Sequence, residues 1–275
     1  MSDAFLTHFD IDRMPFTKEI ADEALWLPPS RMQAVETLER AIRHRQCALM
    51  VGDPGSGKSC VLRAVRHRLS EADVRMTYFH NTTLSVRDFY RQLCVALDLE
   101  AAATAAKLFH AVATHIEELA RETIHPVLFL DEAHILRPET LEQLHILLNY
   151  GWDADPLLSL VMVGLPKLED RLARRKNRSL YSRLYHRIRL DPLGPKDTAD
   201  YLQFRLGAVD LDGEVFTRDA AGLIHEASRG MLREIDRLAT QTMWTALQKD
   251  TRIVEREIVT ETLEVQPLHT PGDQP

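Results

Sequence analysis

The octapeptide GDPGSGKS, Gly52 to Ser59, constrains this chain more than any other stretch. It fits G-x-x-x-x-G-K-[ST]. The run before it, Cys47 to Val51, reads as a short buried strand, and Val61, Leu62, Val65 and Leu69 after it recur at helical spacing. Strand, glycine-rich turn and helix in that order make a phosphate cradle. Glycines let the backbone curl so that successive N–H groups face an anion, and the positive end of the helix adds to them. Lys58 is expected to stand as a point charge between the β- and γ-phosphates of ATP, and Ser59 to hold Mg²⁺. Nucleotide contacts are expected along Asp53, Pro54, Gly55, Ser56, Gly57, Lys58, Ser59 and Cys60.

A second stretch, VLFLDEAH from Val127 to His134, is an apolar strand ending in two acids. A strand that ends in acids is common; paired with the phosphate turn it becomes specific. Asp131 would orient the Mg²⁺ shell, and Glu132 would polarise the attacking water. His134 reads as structural or supporting, with no catalytic role assigned.

The rest of the chain alternates. Helices are expected near 31–44, 58–69, 85–97 (Ser85 as N-cap), 107–122 and 138–149, and strands at 47–51, 74–79, 127–130 and 157–163. Such alternation means a parallel sheet covered by helices on both faces, an α/β fold. After about residue 192 only helices are expected, near 196–207, 217–228, 231–248 and 255–264, with the break at Pro192–Pro195. The expected organisation is an irregular N-terminal extension (1–30), an α/β nucleotide-binding domain (31–192), a small all-helical lid (193–265) and a loose tail (266–275).

Composition narrows the partners. The 275 residues carry a formal net charge of −7, so any contact with DNA must come from a local basic patch. The three cysteines, Cys47, Cys60 and Cys94, form no CxxC pair and read as small buried hydrophobes in a reducing compartment. No stretch approaches the ~20 apolar residues of a membrane span, and the N-terminus lacks the pattern of a signal peptide. The expected location is the cytoplasm, with no membrane partner.

With the acid box in place, the chain resembles the AAA+ ATPases, and within them the ExeA-type group that includes transposon-encoded helper ATPases of the MuB, TnsC and TniB class. The resemblance rests also on FDIDRMPF (Phe9 to Phe16), NTTLSVRDFYRQL, LVMVGLPKL (Leu160 to Leu168), SRLYHRIRLDPL (Ser182 to Leu193) and SRGMLREIDRLA (Ser228 to Ala239). It implies that Asn81 holds the catalytic glutamate in an inactive pose, although an asparagine there also suits a plain turn. It implies that Arg183 or Arg187 serves a neighbouring subunit as an arginine finger, with Arg183 favoured and a surface ion pair as the alternative for either. Arg233, in Gly230-Met231-Leu232-Arg233, matches a lid arginine that reaches the γ-phosphate; the alternative is a solvated helix charge. One departure stands out: where such proteins place a polar phosphate sensor this chain has Leu165, so Ser159 or a neighbouring group must substitute, or the sensing is weak.

Two stretches bear on nucleic acid. Arg171 to Ser179 holds Arg171, Arg174, Arg175, Lys176 and Arg178 with no acid, which more often means a solvated face. Thr82, Thr83 and Arg87 follow the second expected strand, where ring-forming relatives aim residues at a central channel. The resemblance implies a self-assembling ring or helical oligomer, double-stranded DNA and a transposase or integrase as partners, and a role as target-selecting, transposase-activating helper. Two other functions compete. One is an ExeA-like motor for secretion-apparatus assembly, although full-length members carry a membrane span and a wall-binding module that are not read in these residues. The other is a nucleotide-switched interaction module with little hydrolysis.

Overall fold

The computed structural model describes residues 2–80, 84–211 and 213–265. In chain order the elements are α1 (Ser2–Phe9), α2 (Pro29–Arg43), β1 (Cys47–Gly52), α3 (Lys58–Arg68), β2 (Val74–Phe79), α4 (Val86–Ala96), α5 (Ala105–Arg121), β3 (His125–Leu130) and α6 (Pro138–Gln143). They continue with β4 (Ser159–Gly164), α7 (Lys167–Leu172), α8 (Arg178–Tyr181), β5 (Leu184–Leu190), α9 (Pro195–Gly207), α10 (Arg218–Ser228), α11 (Leu232–Gln248) and α12 (Arg256–Val265). The chain divides into two compact units, one of residues 29–53 and 57–190, the other of residues 1–28, 54–56 and 191–275.

The first unit is built on a five-stranded parallel sheet in the order β2-β3-β4-β1-β5. β1, β3 and β4 are buried at every position, because helices cover both faces of the middle strands. That is why they read as unbroken apolar runs. Side chains such as Leu49 and Val161, wholly buried, each contribute about 2 kcal/mol. Ser85 caps α4 as expected, its Oγ accepting the Asp88 N–H at 3.2 Å.

Three expectations need correcting here. A fifth strand, β5, follows the expected four and pairs with β1 from Cys47↔Leu184 to Gly52↔Leu190. Lying at the sheet edge, it alternates arginines and a tyrosine with inward residues, and so carries no apolar run. The helix expected over 138–149 is broken: α6 stops at Gln143 and a 3₁₀ turn covers Ile146–Leu148. Buried Leu141, Leu144 and Leu147 recur every three residues, the period of a 3₁₀ helix rather than an α-helix.

The third correction concerns the N-terminus, which belongs to the helical unit. Residues 2–9, expected to be irregular, form α1, and Phe5 and Phe9 are wholly buried in a core shared with α9 to α12. Their rings lie 4.8 Å apart, and Phe5 is 4.7 Å from Trp244 of α11. Buried Arg205 of α9 ties down the segment behind α1, donating to the carbonyls of Pro15 (2.9 Å) and Thr17 (2.7 Å) and to the Tyr201 hydroxyl (2.8 Å). A guanidinium with five donors can satisfy several carbonyls that would otherwise be buried alone. Among the described residues no helix is long and apolar enough to cross a membrane.

Candidate functional site

In the sheet unit the parallel register brings the C-terminal ends of three strands side by side: Val51 pairs with Gly164, and Leu130 with Met162. The edge of a parallel sheet where helix N-termini begin is where α/β folds hold ligands. β1 ends at Gly52, where the glycine-rich turn starts. Gly57 takes φ +94°, a region that strains any residue with a side chain, and it stands directly before α3, which no side chain caps. An uncapped 11-residue helix behind a glycine turn is a built anion site.

Lys58 is buried, and its Nζ donates to the carbonyls of Gly52 at 2.8 Å and Asp53 at 3.0 Å. Those two bonds hold the ammonium charge inside the turn. Asp53 and Ser59 are exposed and Cys60 is half-buried. Pro54, Gly55 and Ser56 group with the helical unit. There Gly55 takes φ +82°, and a Cβ built on it would stand 3.0 Å from the Cβ of Arg233, an exposed residue in the first turn of α11. Gly55 is therefore required both by its backbone and by its neighbour.

Asp131 follows β3 and is 7% exposed. Its Oδ1 accepts the N–H of Glu132 at 2.8 Å, and its Oδ2 accepts the Tyr78 hydroxyl at 2.6 Å. Burial, and after it the bond to Asp131, pushes the Tyr78 phenol well above its ordinary pKa, so the proton stays on the tyrosine and the carboxylate accepts. Magnesium bound with a nucleotide takes most of its ligands from phosphate and water. One hydroxyl, Ser59, and one carboxylate, Asp131, fit that demand. Among the described residues no cluster of three or more His, Cys, Asp or Glu could hold a metal by itself.

Glu132 adopts φ +51°, a left-handed backbone uncommon outside glycine. Such outliers concentrate at functional sites. Its Oε2 lies 3.5 Å from Nδ1 of His134, and the N–H of Leu165 donates to that same nitrogen at 3.3 Å. His134 is buried, and burial lowers its pKa; Glu132 opposes the shift, while Lys167, Lys58 and Arg171 reinforce it. Arg171 donates to the carbonyls of His134 and, at 2.7 Å, of Leu136. The first residue of the basic run is thus a strut for the acid loop, whereas Arg174, Arg175, Lys176 and Arg178 are exposed, Lys176 paired with Glu142 at 2.6 Å.

Ser159, one expected substitute for the missing sensor, stands away from the acid box. That residue opens β4 beside Val127, at the opposite end of the sheet, wholly buried and 2.8 Å from His125 Nε2. The four steps along the chain from Val127 to Asp131 put it about 13 Å from the acid box at ~3.3 Å per residue. The polar group that stands against Leu165 is His134. Gly164 is needed for that approach, since a Cβ there would lie 3.2 Å from the N and Nδ1 of His134.

Arg183 directly precedes β5; its Nη2 donates to both carboxylate oxygens of Asp153, at 2.7 and 2.8 Å, and its Nη1 to the Ser179 carbonyl at 2.9 Å. The guanidinium of Arg187, within β5, lies 3.7 Å over the Tyr181 ring. Leu184, next to Arg183, pairs with Cys47 at the start of β1, so the length of β1 separates Arg183 from the turn at Gly52. Arg87 is exposed in the first turn of α4. Asn81, Thr82 and Thr83 lie outside the described residues, as does the tail 266–275. His134 stands inside the acid motif, where a structural or supporting part was expected of it, but nothing local in the sequence marks Tyr78.

Residues 40–172 match the AAA domain family. General secretion pathway protein A of Aeromonas hydrophila is 27% identical over 268 residues, 96% of this chain; the chain spans about half of that relative's length (49%). Among solved structures, Cdc6p from Pyrobaculum aerophilum superposes with a TM-score of 0.67 at 20% identity, covering 93% of this chain and 71% of that one. The RuvB Holliday junction branch migration motor of Thermotoga maritima gives 0.61 at 19% identity, covering 92% and 73%. The ORC1 protein of Aeropyrum pernix, solved in complex with DNA, gives 0.67 at 17% identity, covering 91% and 68%. At these identities the likeness is one of fold: a P-loop AAA+ α/β fold.

Proposed function

We propose that this AAA domain binds ATP with Mg²⁺ at its glycine-rich turn and hydrolyses the terminal phosphate with Glu132. The observation that carries the reading is the buried ammonium of Lys58 held in the turn by two carbonyls, on the sheet edge where Asp131 and Glu132 follow β3. Lys58 attracts the β- and γ-phosphate oxygens, the uncapped start of α3 adds N–H donors, and Ser59 and Asp131 position the metal. Mg²⁺, when bound there, would supply neutralisation of the charge on the phosphates. Glu132 orients the attacking water and draws off its proton. Arg183 or Arg187 serves a neighbouring subunit as the arginine finger, and Arg233 keeps the role of lid arginine that the resemblance gives it.

What the ATP cycle drives is read first from the relative that aligns with 96% of this chain: assembly work in a secretion pathway, with the chain as the ATPase module. The second reading is a helper ATPase that gathers on DNA and activates a transposase, favoured by exposed Arg174, Arg175, Lys176 and Arg178. One experiment tests both levels. Glu132→Gln should bind ATP as the wild type does and lose at least about 100-fold in turnover, whereas Lys58→Ala should lose binding. Hydrolysis by Glu132→Gln at the wild-type rate would remove the glutamate from its role. The ATP-trapped Glu132→Gln protein is then mixed with labelled duplex DNA at two salt concentrations. Salt-sensitive, sequence-tolerant binding supports the transposition reading; none at low salt leaves the secretion reading.

A further inference from the structure

We propose that His134 is the positioning residue for Glu132, passing one hydrogen bond at its Nδ1 between the Leu165 N–H and the Glu132 carboxylate, and so filling the place of the missing polar sensor. The inference rests on the reading of Glu132 as the water-orienting residue.

One nitrogen faces two partners of opposite kind. Nδ1 stands 3.3 Å from a donor, the Leu165 N–H, and 3.5 Å from an acceptor, Oε2 of Glu132. A ring nitrogen in the plane of the imidazole either carries a proton or offers a lone pair, so it satisfies one partner at a time. With Nδ1 bare it accepts from Leu165, and its lone pair repels the carboxylate beside it. With the proton on Nδ1 it donates to Glu132 and releases the end of β4. In both arrangements the ring is neutral and keeps one proton; a proton leaves Nε2 to water and another reaches Nδ1 from water. Burial favours the neutral ring, and the charged groups that bear on it are Glu132, Lys167, Lys58 and Arg171.

The surroundings hold the ring in place for this exchange. Arg171 fixes its backbone by bonding the carbonyls of His134 and Leu136. Gly164 lets the ring stand this close to β4, where an added Cβ would meet its Nδ1 at 3.2 Å. Glu132 sits on a left-handed backbone two residues past the paired end of β3, with its Oε2 3.5 Å from Nδ1 of His134. A shift at the end of β4 therefore reaches the glutamate through this nitrogen. Coupling of this kind needs an element with two discrete arrangements, and the shared nitrogen supplies it.

The test compares His134→Asn with His134→Leu in the full chain. Asparagine places a polar group near the position of Nδ1, whereas leucine keeps bulk alone. His134→Leu should lose at least about 10-fold in kcat, a misplacement effect, with KM for ATP within about threefold of wild type because Lys58 and the turn are untouched. His134→Asn should recover most of that loss. A readout independent of turnover is the ¹⁵N shift of the His134 ring: Nδ1 should be bare in the nucleotide-free protein and protonated once a non-hydrolysable ATP analogue and Mg²⁺ are added. A kcat for His134→Leu within about twofold of wild type would overturn the proposal, as would His134→Asn being as slow as His134→Leu, or an Nδ1 signal that ignores the nucleotide. If the leucine variant does not fold, the ring shift and the asparagine variant still decide. Failure of the ATPase reading shows separately, as a wild-type protein that binds no nucleotide at all.

Discussion

His125 and Lys58 are both buried polar residues, and sequence made only one of them legible. Lys58 stands in a motif whose spacing dictates its task, so its position beside the Gly52 and Asp53 carbonyls could be expected. His125 could not: it opens β3 and bonds Ser159 across the sheet at 2.8 Å, a pairing set by the β3–β4 register. Burial, with Arg45 adding to it, pushes the His125 pKa down to about 4. The folded protein then resists a proton that the unfolded chain accepts near pH 6.5, so the unfolded state binds more protons below that pH. Stability is at its full value above about pH 6.5 and falls as pH drops toward 4, where the loss levels off at about 3 kcal/mol. Thermal melts from pH 8 to 4 should show this decline, and His125→Gln, with no group titrating in that window, should flatten it. An unchanged pH slope in the variant would move the decline to other groups. The same contrast separates Asp131, readable from its strand, from Tyr78, whose hydroxyl reaches Asp131 from a strand far earlier in the chain.

Among the elements, the longer helices from α2 to α5 and α9 to α12 and the central strands followed from periodicity because each repeats its burial pattern over several residues, whereas α1 and the short α6, α7 and α8 did not. β1, β3 and β4 are buried on both faces and β5 on one, and only the former leave an apolar run. α11 shows how an element's start is set by something its own pattern does not contain. Gly230, just before it, takes φ +70°, and a Cβ there would stand 2.2 Å from the Leu193 carbonyl oxygen. Leu193 also donates its N–H to the Gly230 carbonyl at 2.9 Å. The glycine that precedes Arg233 by three residues is thus explained by packing within the helical unit. Gly230→Ala should destabilise by at least about 2 kcal/mol, combining left-handed strain with a backbone clash, and lower the melting temperature by about 4–8 °C. Gly213→Ala is the control, with φ +114° and nothing within 4 Å of the added carbon; it should lose less. Equal losses would mean that strain alone, and not the contact with Leu193, fixes the glycine.

For the whole molecule, the question is whether one chain completes its own site. Arg183 lies at the start of β1 and β5, and the turn at Gly52 lies at the end of β1, about 17 Å further along at ~3.3 Å per residue. If Arg183 is a finger, it serves a neighbouring copy and must give up its pair with Asp153. Arg183→Ala should then bind ATP yet lose turnover, and mixing it with Glu132→Gln should restore at most about a quarter of the wild-type rate, since only head-to-tail interfaces joining two intact halves work. No recovery at any ratio would pass the role to Arg187 or to a protomer acting alone. The sequence by itself determined the phosphate turn, the acid-ended strand and the α/β alternation, because each is written in neighbouring residues whose backbone preferences and burial repeat locally. Tertiary structure alone decided that α1 joins the helical core, that an arginine-rich edge strand closes the sheet, and that Tyr78 meets Asp131 and His134 meets Leu165. Those outcomes depend on strand order and register, which bring together residues far apart in the chain and leave no trace in the local pattern of either partner.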